Sequence, residues 1–151
     1  MKALAIDLDG ALGDTRPLWE AWLADAGRRY RVEGLEELAD DRAHAPAELD
    51  RRLGNWRTLL ERFAEEHAAV HLRPRADVGT ALRRLQAEGV RLGAFTETPE
   101  PLARVAAAQL GVARRLDALE AGAGALPRLR ERLGAGARVV RSAKDLVIAA
   151  E

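Results

Sequence analysis

The chain has 151 residues, 48% of them hydrophobic and 32% charged, so it can form one folded core with a small insertion and is not composed like a disordered chain. Its 24 basic and 24 acidic residues give a formal net charge of zero, which argues against nucleic acid or a membrane surface as a partner. The absence of cysteine excludes disulfides and thiol nucleophiles, and the lack of a long apolar stretch leads us to expect a cytoplasmic protein.

The first half of the sequence predicts one strand followed by helices. The apolar run KALAIDL near the start predicts a short buried strand that ends in two acids, Asp7 and Asp9. The helical spacing of apolar residues then predicts a helix over residues 16–30, a short helix over 34–42 and a long helix over 45–72 that Gly54 weakens. The three tryptophans recur on the faces of these helices, so we expect them to be buried.

Strands and helices alternate in the second half. Helices are predicted over residues 77–89, 99–111 and 126–134, and strands over residues 90–96, 115–121 and 137–141. Asp77 and Gly89 are expected to begin and end the first of these helices. Residues 142–150 fit a final helix, although Val147 and Ile148 leave a strand open. This alternation is typical of a doubly wound, Rossmann-like α/β fold with a parallel sheet of about four strands.

The helical residues 15–74 interrupt this alternation and indicate an insertion after the first strand. We therefore predict an α/β core domain formed by residues 1–14 and 75–151, with residues 15–74 as a helical cap. Because ligands bind beyond the carboxyl ends of parallel strands, polar side chains at those ends are candidates for a site. The candidates are Asp7 and Asp9 after the first strand, Thr96 after the second and Arg141 after the fourth.

Two stretches resemble motifs of the haloacid dehalogenase-like hydrolases. The sequence DLDGAL at residues 7–12, followed by GDTRPLW, is similar to the family's first motif, which usually reads DxDGT. The sequence GVRLGAFTETP at residues 89–99 is similar to its second motif, a strand that ends in Ser or Thr. The position of residues 15–74 also resembles the helical cap of these enzymes, so the resemblance covers nearly the whole chain.

The resemblance implies hydrolysis of a small phosphorylated molecule. Asp7 would attack phosphorus to form an aspartyl-phosphate, and Asp9 would protonate the leaving oxygen and later activate water. The backbone N–H groups at Gly10 and the hydroxyl of Thr96 would hold the phosphoryl oxygens. The family uses Mg²⁺, for which Asp7, Asp9 and Asp145 are the corresponding ligands here.

The sequence departs from the family pattern at three places. Ala11 replaces the usual threonine of the first motif, and no lysine lies between residues 3 and 143 to serve as the third motif. In VVRSAKD, at residues 139–145, Arg141 stands where the first acid of the fourth motif is expected. Arg141 is therefore expected to pair with a nearby carboxylate, to supply part of the charge that the metal would provide, and to weaken Mg²⁺ binding. Arg141 and Lys144 are both further candidates for phosphate binding.

Two hypotheses follow from these departures. In the first, the chain is a weak Mg²⁺-dependent phosphatase; in the second, it is a catalytically degraded relative that binds a phosphorylated ligand or a protein partner. Thr96 also has two interpretations, a phosphate ligand or a cap of the helix that follows it. A last strand at residues 137–141 would lie at a sheet edge, so a homodimer, or cover from residues 146–151, is also expected.

Overall fold

A computed structural model describes all residues from Met1 to Glu151. Its four strands are β1 (Ala3–Asp7), β2 (Arg91–Thr96), β3 (Ala118–Ala121) and β4 (Arg138–Val140). Its α-helices are α1 (Arg16–Tyr30), α2 (Ala45–Arg52), α3 (Trp56–His71), α4 (Ala76–Ala87), α5 (Glu100–Gln109), α6 (Ala125–Leu133) and α7 (Ala143–Ala149). The predicted α/β fold is confirmed. Residues 142–150, whose sequence is compatible with a helix or a strand, contain the helix α7.

The strands form one parallel sheet in the order β3-β2-β1-β4. Strand β1 is central, since it pairs with β2 on one side and with β4 on the other. Its residues from Ala3 to Ile6 are buried, as expected for a strand covered by helices on both faces. Asp7 lies at the carboxyl end of β1, where it is paired in register with Phe95 of β2.

The helical region between β1 and α4 is more broken than its sequence pattern predicts. The predicted long helix is two helices, α2 and α3, because Asn55 adopts a left-handed conformation with a φ of 62° directly after Gly54. The segment at 34–42 forms only one 3₁₀ turn, Leu35–Leu38. Asp77 does not cap α4, which begins one residue earlier with Arg75 as its flanking residue.

The inserted helices and the sheet share one hydrophobic core. A single cluster of 35 buried residues contains Leu4 and Ile6 of β1 together with Trp19 and Trp22 of α1. Helix α3 packs along α5, and all three tryptophans are buried, as the sequence predicts. The division into a core domain and a cap at residues 15–74 stays a prediction, because apolar contact is continuous across that boundary.

The carboxyl-terminal part of the chain forms one border of the sheet. Strand β4 lies at the sheet edge, and α7 packs against α4. The edge position from which a homodimer is expected is thus present, and the homodimer itself stays a prediction. None of the helices combines the length and the apolar character that crossing a membrane requires.

The continuous core predicts that the inserted helices and the sheet unfold together. We expect Leu60→Ala, at a fully buried position of α3, to cost about 2–5 kcal/mol of unfolding free energy. Tryptophan fluorescence reports only residues 15–74, where all three tryptophans lie, whereas far-UV circular dichroism reports the whole chain. The two denaturation curves should coincide in the parent and in the variant.

A matched control is Val70→Ala on the same helix, because Val70 is 71% exposed and its truncation leaves no cavity. This control should unfold at nearly the same denaturant concentration as the parent. Separate transitions for the two signals would contradict a shared core.

Candidate active site

A cavity of about 370 Å³ opens at the carboxyl ends of β1 and β2. Its polar lining residues include three carboxyl groups and three arginines: Asp7, Asp9, Glu97, Arg16, Arg42 and Arg141. Thr96 also lines the cavity. The structure thus brings together four of the side chains that the sequence places at strand ends, and it adds two arginines that the sequence did not indicate.

The turn after β1 packs against the end of β4 through Gly10. A Cβ atom at Gly10 would lie 2.6 Å from the carbonyl oxygen of Arg141, which is too close for any side chain. The φ of Gly10, 116°, is also a backbone conformation that favours glycine. This close contact fixes the backbone of Arg141 beside the first motif. The N–H of Gly10 donates to the carbonyl of Gly13 at 2.7 Å, so it does not face the cavity as a free phosphate donor.

Asp7 is a partly buried carboxylate beside a single arginine. Its Oδ2 accepts a hydrogen bond from Nη1 of Arg141 at 3.2 Å, and its Oδ1 accepts one from the N–H of Asp9 at 3.2 Å. Burial, followed by the negative charge of Asp9, raises the pKa of Asp7 above its ordinary value, and the Arg141 guanidinium offsets only part of this effect. The Arg141 guanidinium also lies 5.4 Å from the ring centre of Phe95, which helps to hold it at the cavity.

Asp9 is surrounded by hydrogen-bond donors from three parts of the chain. Its Oδ1 accepts from the backbone N–H and the hydroxyl of Thr15, at 2.7 and 2.8 Å. Its Oδ2 accepts from Nη1 of Arg42 at 2.9 Å and from the hydroxyl of Thr96 at 2.8 Å. The side chains of Asp9 and Arg42 are only 8% and 12% exposed, so this is a buried ion pair. No contact tests the prediction that Asp9 transfers protons.

The contacts of Thr96 decide between its two interpretations only in part. Its hydroxyl donates to Asp9 and accepts from the N–H of Thr98 at 3.2 Å. The residue that precedes α5 is Pro99, and no side chain caps this helix, so the capping interpretation is wrong. Thr96 lines the cavity, and its role as a phosphate ligand stays a prediction.

The predicted metal ligands do not come together. No group of three or more acidic or histidine side chains is placed to hold a metal, so Asp145 does not join Asp7 and Asp9. Asp145 is exposed in the first turn of α7, where its N–H donates to the Ser142 hydroxyl, and the neighbouring Lys144 is also exposed. Neither residue lines the cavity. Mg²⁺ needs several free oxygen ligands, so this donor set does not fit it.

The region of the missing third motif also supplies no cation to the site. Arg128 and Arg132 of α6 both form ion pairs with Glu120 on β3, at 2.9 and 2.8 Å. Arg128 further donates to the carbonyls of Ala121 and Ala123. These arginines thereby fasten the helix to the end of the strand, and the cavity wall here is formed by glycine and apolar side chains.

Sequence reasoning missed Arg42, Arg16 and the role of Thr15. Thr15 and Arg16 lie inside the GDTRPLW stretch, so their closeness to the first motif was a usable signal. Arg16 forms an ion pair with Asp14 at 2.8 Å at the cavity rim. Arg42 lies in a turn of the inserted segment, 33 residues from Asp9, and no periodicity or motif marks it.

The fold and the site define a Rossmann-like α/β protein with an acid pair at the carboxyl end of its central strand. Residues 1–126 match the family profile of the haloacid dehalogenase-like hydrolases, and the chain belongs to this family. No curated protein sequence matches the chain significantly.

Several solved structures share the fold. One is CbbY from Rhodobacter sphaeroides in complex with phosphate, at 18% identity and a TM-score of 0.68, covering 97% of this chain and 83% of that one. A second is a putative β-phosphoglucomutase from Thermotoga maritima, at 19% identity and a TM-score of 0.57, covering 99% of this chain and 82% of that one. A third is L-2-haloacid dehalogenase from Xanthobacter autotrophicus with chloropropionic acid covalently bound, at 14% identity and a TM-score of 0.52. It covers 92% of this chain and 68% of that one. At these identities the likeness shows the fold alone.

The raised pKa of Asp7 predicts that its ionisation destabilises the fold. The folded chain holds this proton more tightly than the unfolded chain, so stability falls as the pH rises from the ordinary Asp pKa through the raised one. We therefore expect Asp7→Asn to melt at a higher temperature than the parent at neutral pH. The difference should shrink as the pH falls below the ordinary Asp pKa, and melting curves between about pH 3 and pH 8 measure it.

Asp77→Asn is a control at a carboxyl group whose pKa is shifted in the opposite direction. A hydrogen bond from Arg75 lowers the pKa of Asp77, so ionised Asp77 favours the folded state. This variant should not gain stability at neutral pH. A lower melting temperature for Asp7→Asn than for the parent at neutral pH would contradict the sign derived for Asp7.

The ion pair between Arg141 and Asp7 predicts weak Mg²⁺ binding by the parent. We expect Arg141→Asp, which restores a family-like acid, to show a larger Mg²⁺-dependent rise in melting temperature than the parent. A site at 100-fold excess of Mg²⁺ over its Kd contributes about 2.7 kcal/mol. Without metal the variant should be less stable, because unpaired carboxylates then face each other.

Arg138→Asp is the matched control, since it makes the same charge change on β4 at a position outside the cavity. It should show no added response to Mg²⁺. If the parent responds to Mg²⁺ as strongly as Arg141→Asp does, the assignment of Arg141 to the metal position is wrong.

Proposed function

We propose that the chain is a weak phosphomonoester hydrolase in which Asp7 attacks the phosphorus of a small substrate. The single observation that carries this proposal is the position of Asp7, whose carboxylate lines the cavity at the carboxyl end of the central strand. Membership of the haloacid dehalogenase-like family and the likeness to a structure in complex with phosphate support the same chemistry.

The Arg141 guanidinium is the cation that binds the phosphoryl group of the substrate. Only its Nη1 is engaged by Asp7, so its other N–H groups are free to bind a phosphoryl oxygen. Its side chain is 61% exposed, which leaves it accessible from the cavity. An arginine can bind phosphate through two parallel hydrogen bonds, and this geometry would hold the phosphorus near the Asp7 oxygens.

The chemical step begins when an Asp7 oxygen attacks phosphorus and the bond to the ester oxygen breaks, with Asp9 as the acid that protonates this oxygen as it leaves. Asp9 then accepts a proton from the water that hydrolyses the aspartyl-phosphate and releases phosphate. The free N–H groups of Arg141 bind the phosphoryl group while its Nη1 stays beside Oδ2 of Asp7, so the same guanidinium holds the nucleophile and the phosphorus next to each other.

Arg141 alone offers the phosphoryl group less positive charge than a metal and a lysine together would, because Arg16 and Arg42 are paired with Asp14 and Asp9. Removal of one such electrostatic partner costs on the order of 10²–10³ in rate, so turnover is slow.

A second candidate function is binding of a phosphorylated ligand without turnover. The observation that favours it is the state of Asp9, whose two oxygens each accept two hydrogen bonds from the protein itself. The two candidates differ in one measurable respect, since only the hydrolase forms a covalent phosphoryl adduct on Asp7.

Asp7→Asn tests the proposed hydrolase. We expect the parent to release phosphate slowly from 4-nitrophenyl phosphate and to carry a phosphoryl group on Asp7 after an acid quench, detected by peptide mass spectrometry. The variant should lose both signals, because an amide is a poor nucleophile, and its melting curve verifies folding. Asp77→Asn, on the surface away from the cavity, should retain both. Equal hydrolysis by the parent and Asp7→Asn would overturn the assignment of Asp7.

A further inference from the structure

We propose that a second cavity, formed by α4, the end of α5 and the 3₁₀ turn Ala113–Arg115, binds a small organic phosphate monoester. Its volume is about 470 Å³, compared with about 370 Å³ for the active-site cavity, and the two cavities share no lining residue. Leu12, from the turn that follows β1, forms part of its wall. This second site is independent of the proposed attack by Asp7.

The charged side chains around this cavity are all basic. Arg75, Arg83 and Arg115 line it, and no carboxyl group does, whereas three carboxyl groups accompany the three arginines of the active-site cavity. Arg75 forms an ion pair with Asp77 at 2.8 Å, so its charge is balanced. The guanidinium groups of the other two arginines therefore make the cavity a positive surface that attracts anions.

The hydrogen bonds of Arg83 and Arg115 leave the charge of both side chains uncompensated. Nη2 of Arg83 donates to the hydroxyl of Thr80 at 3.1 Å. Nη1 of Arg115 donates to Oε1 of Gln86 at 3.0 Å. Both acceptors are neutral, so these contacts orient the guanidinium groups without cancelling their charge. Each guanidinium keeps further N–H groups with which to bind an anion.

The helix α4 places one of these arginines directly at the cavity. Arg75, Gly79 and Arg83 are spaced by four residues and so lie on the same face of the helix. A Cβ atom at Gly79 would lie 3.5 Å from Nη1 of Arg83, which shows that this guanidinium lies against the helix beside Gly79. Arg115 is half-buried on the turn that packs against α4. A guanidinium held in this way loses less conformational entropy when it binds a ligand.

The rest of the wall is largely apolar. Leu12, Leu110 and Val112 line the cavity, and Thr80 is the only uncharged polar side chain among the lining residues. Cavities that bind small organic ligands have volumes of roughly 300–1,000 Å³, and this cavity falls within that range. The wall thus favours a ligand with an apolar organic body over a bare inorganic ion.

The charge of the cavity selects a phosphate monoester among organic anions. Arg83 and Arg115 together carry two positive charges. A phosphate monoester carries about −1.5 to −2 charges at neutral pH, whereas a carboxylate carries only one. A guanidinium can also bind phosphate oxygens through two parallel hydrogen bonds. The phosphate would lie on Arg83 and Arg115, and the organic body would lie over the apolar wall.

Phenylphosphonate is the probe that tests this site, because its carbon–phosphorus bond offers no ester oxygen for the proposed hydrolase to release. It is titrated by isothermal calorimetry into Arg141→Gln, which lacks the guanidinium proposed to bind phosphate in the active site. We expect this variant to bind one equivalent of phenylphosphonate. Inorganic phosphate, which lacks the phenyl ring, and benzoate, which carries a single charge, should both bind more weakly.

Two variants in the Arg141→Gln background locate the bound probe. Arg83→Gln and Arg115→Gln should each weaken phenylphosphonate binding by roughly 10–100-fold, since each removes a hydrogen bond between charged groups. Arg84→Gln is the matched control, because it removes the same charge from an exposed neighbouring position of α4 that does not line the cavity. It should bind the probe as tightly as its background does. Melting curves verify that all variants are folded.

Several outcomes would overturn the second site. One is the absence of phenylphosphonate binding to Arg141→Gln, and another is unchanged affinity in both Arg83→Gln and Arg115→Gln. Equal weakening by Arg84→Gln would mean that the probe responds only to net charge. Benzoate or inorganic phosphate binding as tightly as phenylphosphonate would contradict the assigned ligand class. None of these results bears on Asp7, whose role is tested by the phosphoryl adduct.

Discussion

A buried carboxylate destabilises a fold unless donors match its oxygens, and the structure around the site is organised by how Asp9 meets this requirement. Its partners come from the start of α1, the end of β2 and the turn before α2. One anion therefore joins the central strand, its neighbour and the inserted helices at a single point. Replacing either member of such a buried pair alone leaves an uncompensated charge, so Asp9 and Arg42 constrain each other.

The second ion pair of the site has a different character. Arg141 is exposed and makes one hydrogen bond to Asp7, so it can exchange that carboxylate for a ligand at little cost. Its backbone, by contrast, is fixed against Gly10. In the proposed hydrolase this exposed guanidinium would bind the phosphoryl group where the family uses a metal, whereas Arg42 is engaged by Asp9 and Thr15.

The sequence was sufficient to predict the parallel sheet, its central acid pair and the position of Thr96, because each depends on a local pattern of apolar strands and strand ends. It was insufficient where contacts join distant residues. Arg42 meets Asp9 across a loop without periodicity, and Asp145 was assigned to the site by alignment although α7 leaves it exposed. The break between α2 and α3 depends on the left-handed conformation of Asn55, which residue type alone does not require.

The strand order also determines when the chain can fold. Ala3 pairs with Arg91, and Leu4 pairs with Arg138, so the central strand must wait for most of the chain before it gains either neighbour. Contacts between distant residues close slowly because the chain between them loses entropy first. During synthesis the apolar β1 leaves the ribosome earliest and stays unpaired longest. The helices of residues 15–74, whose backbone hydrogen bonds are local, can form in that interval and shield the strand from other chains.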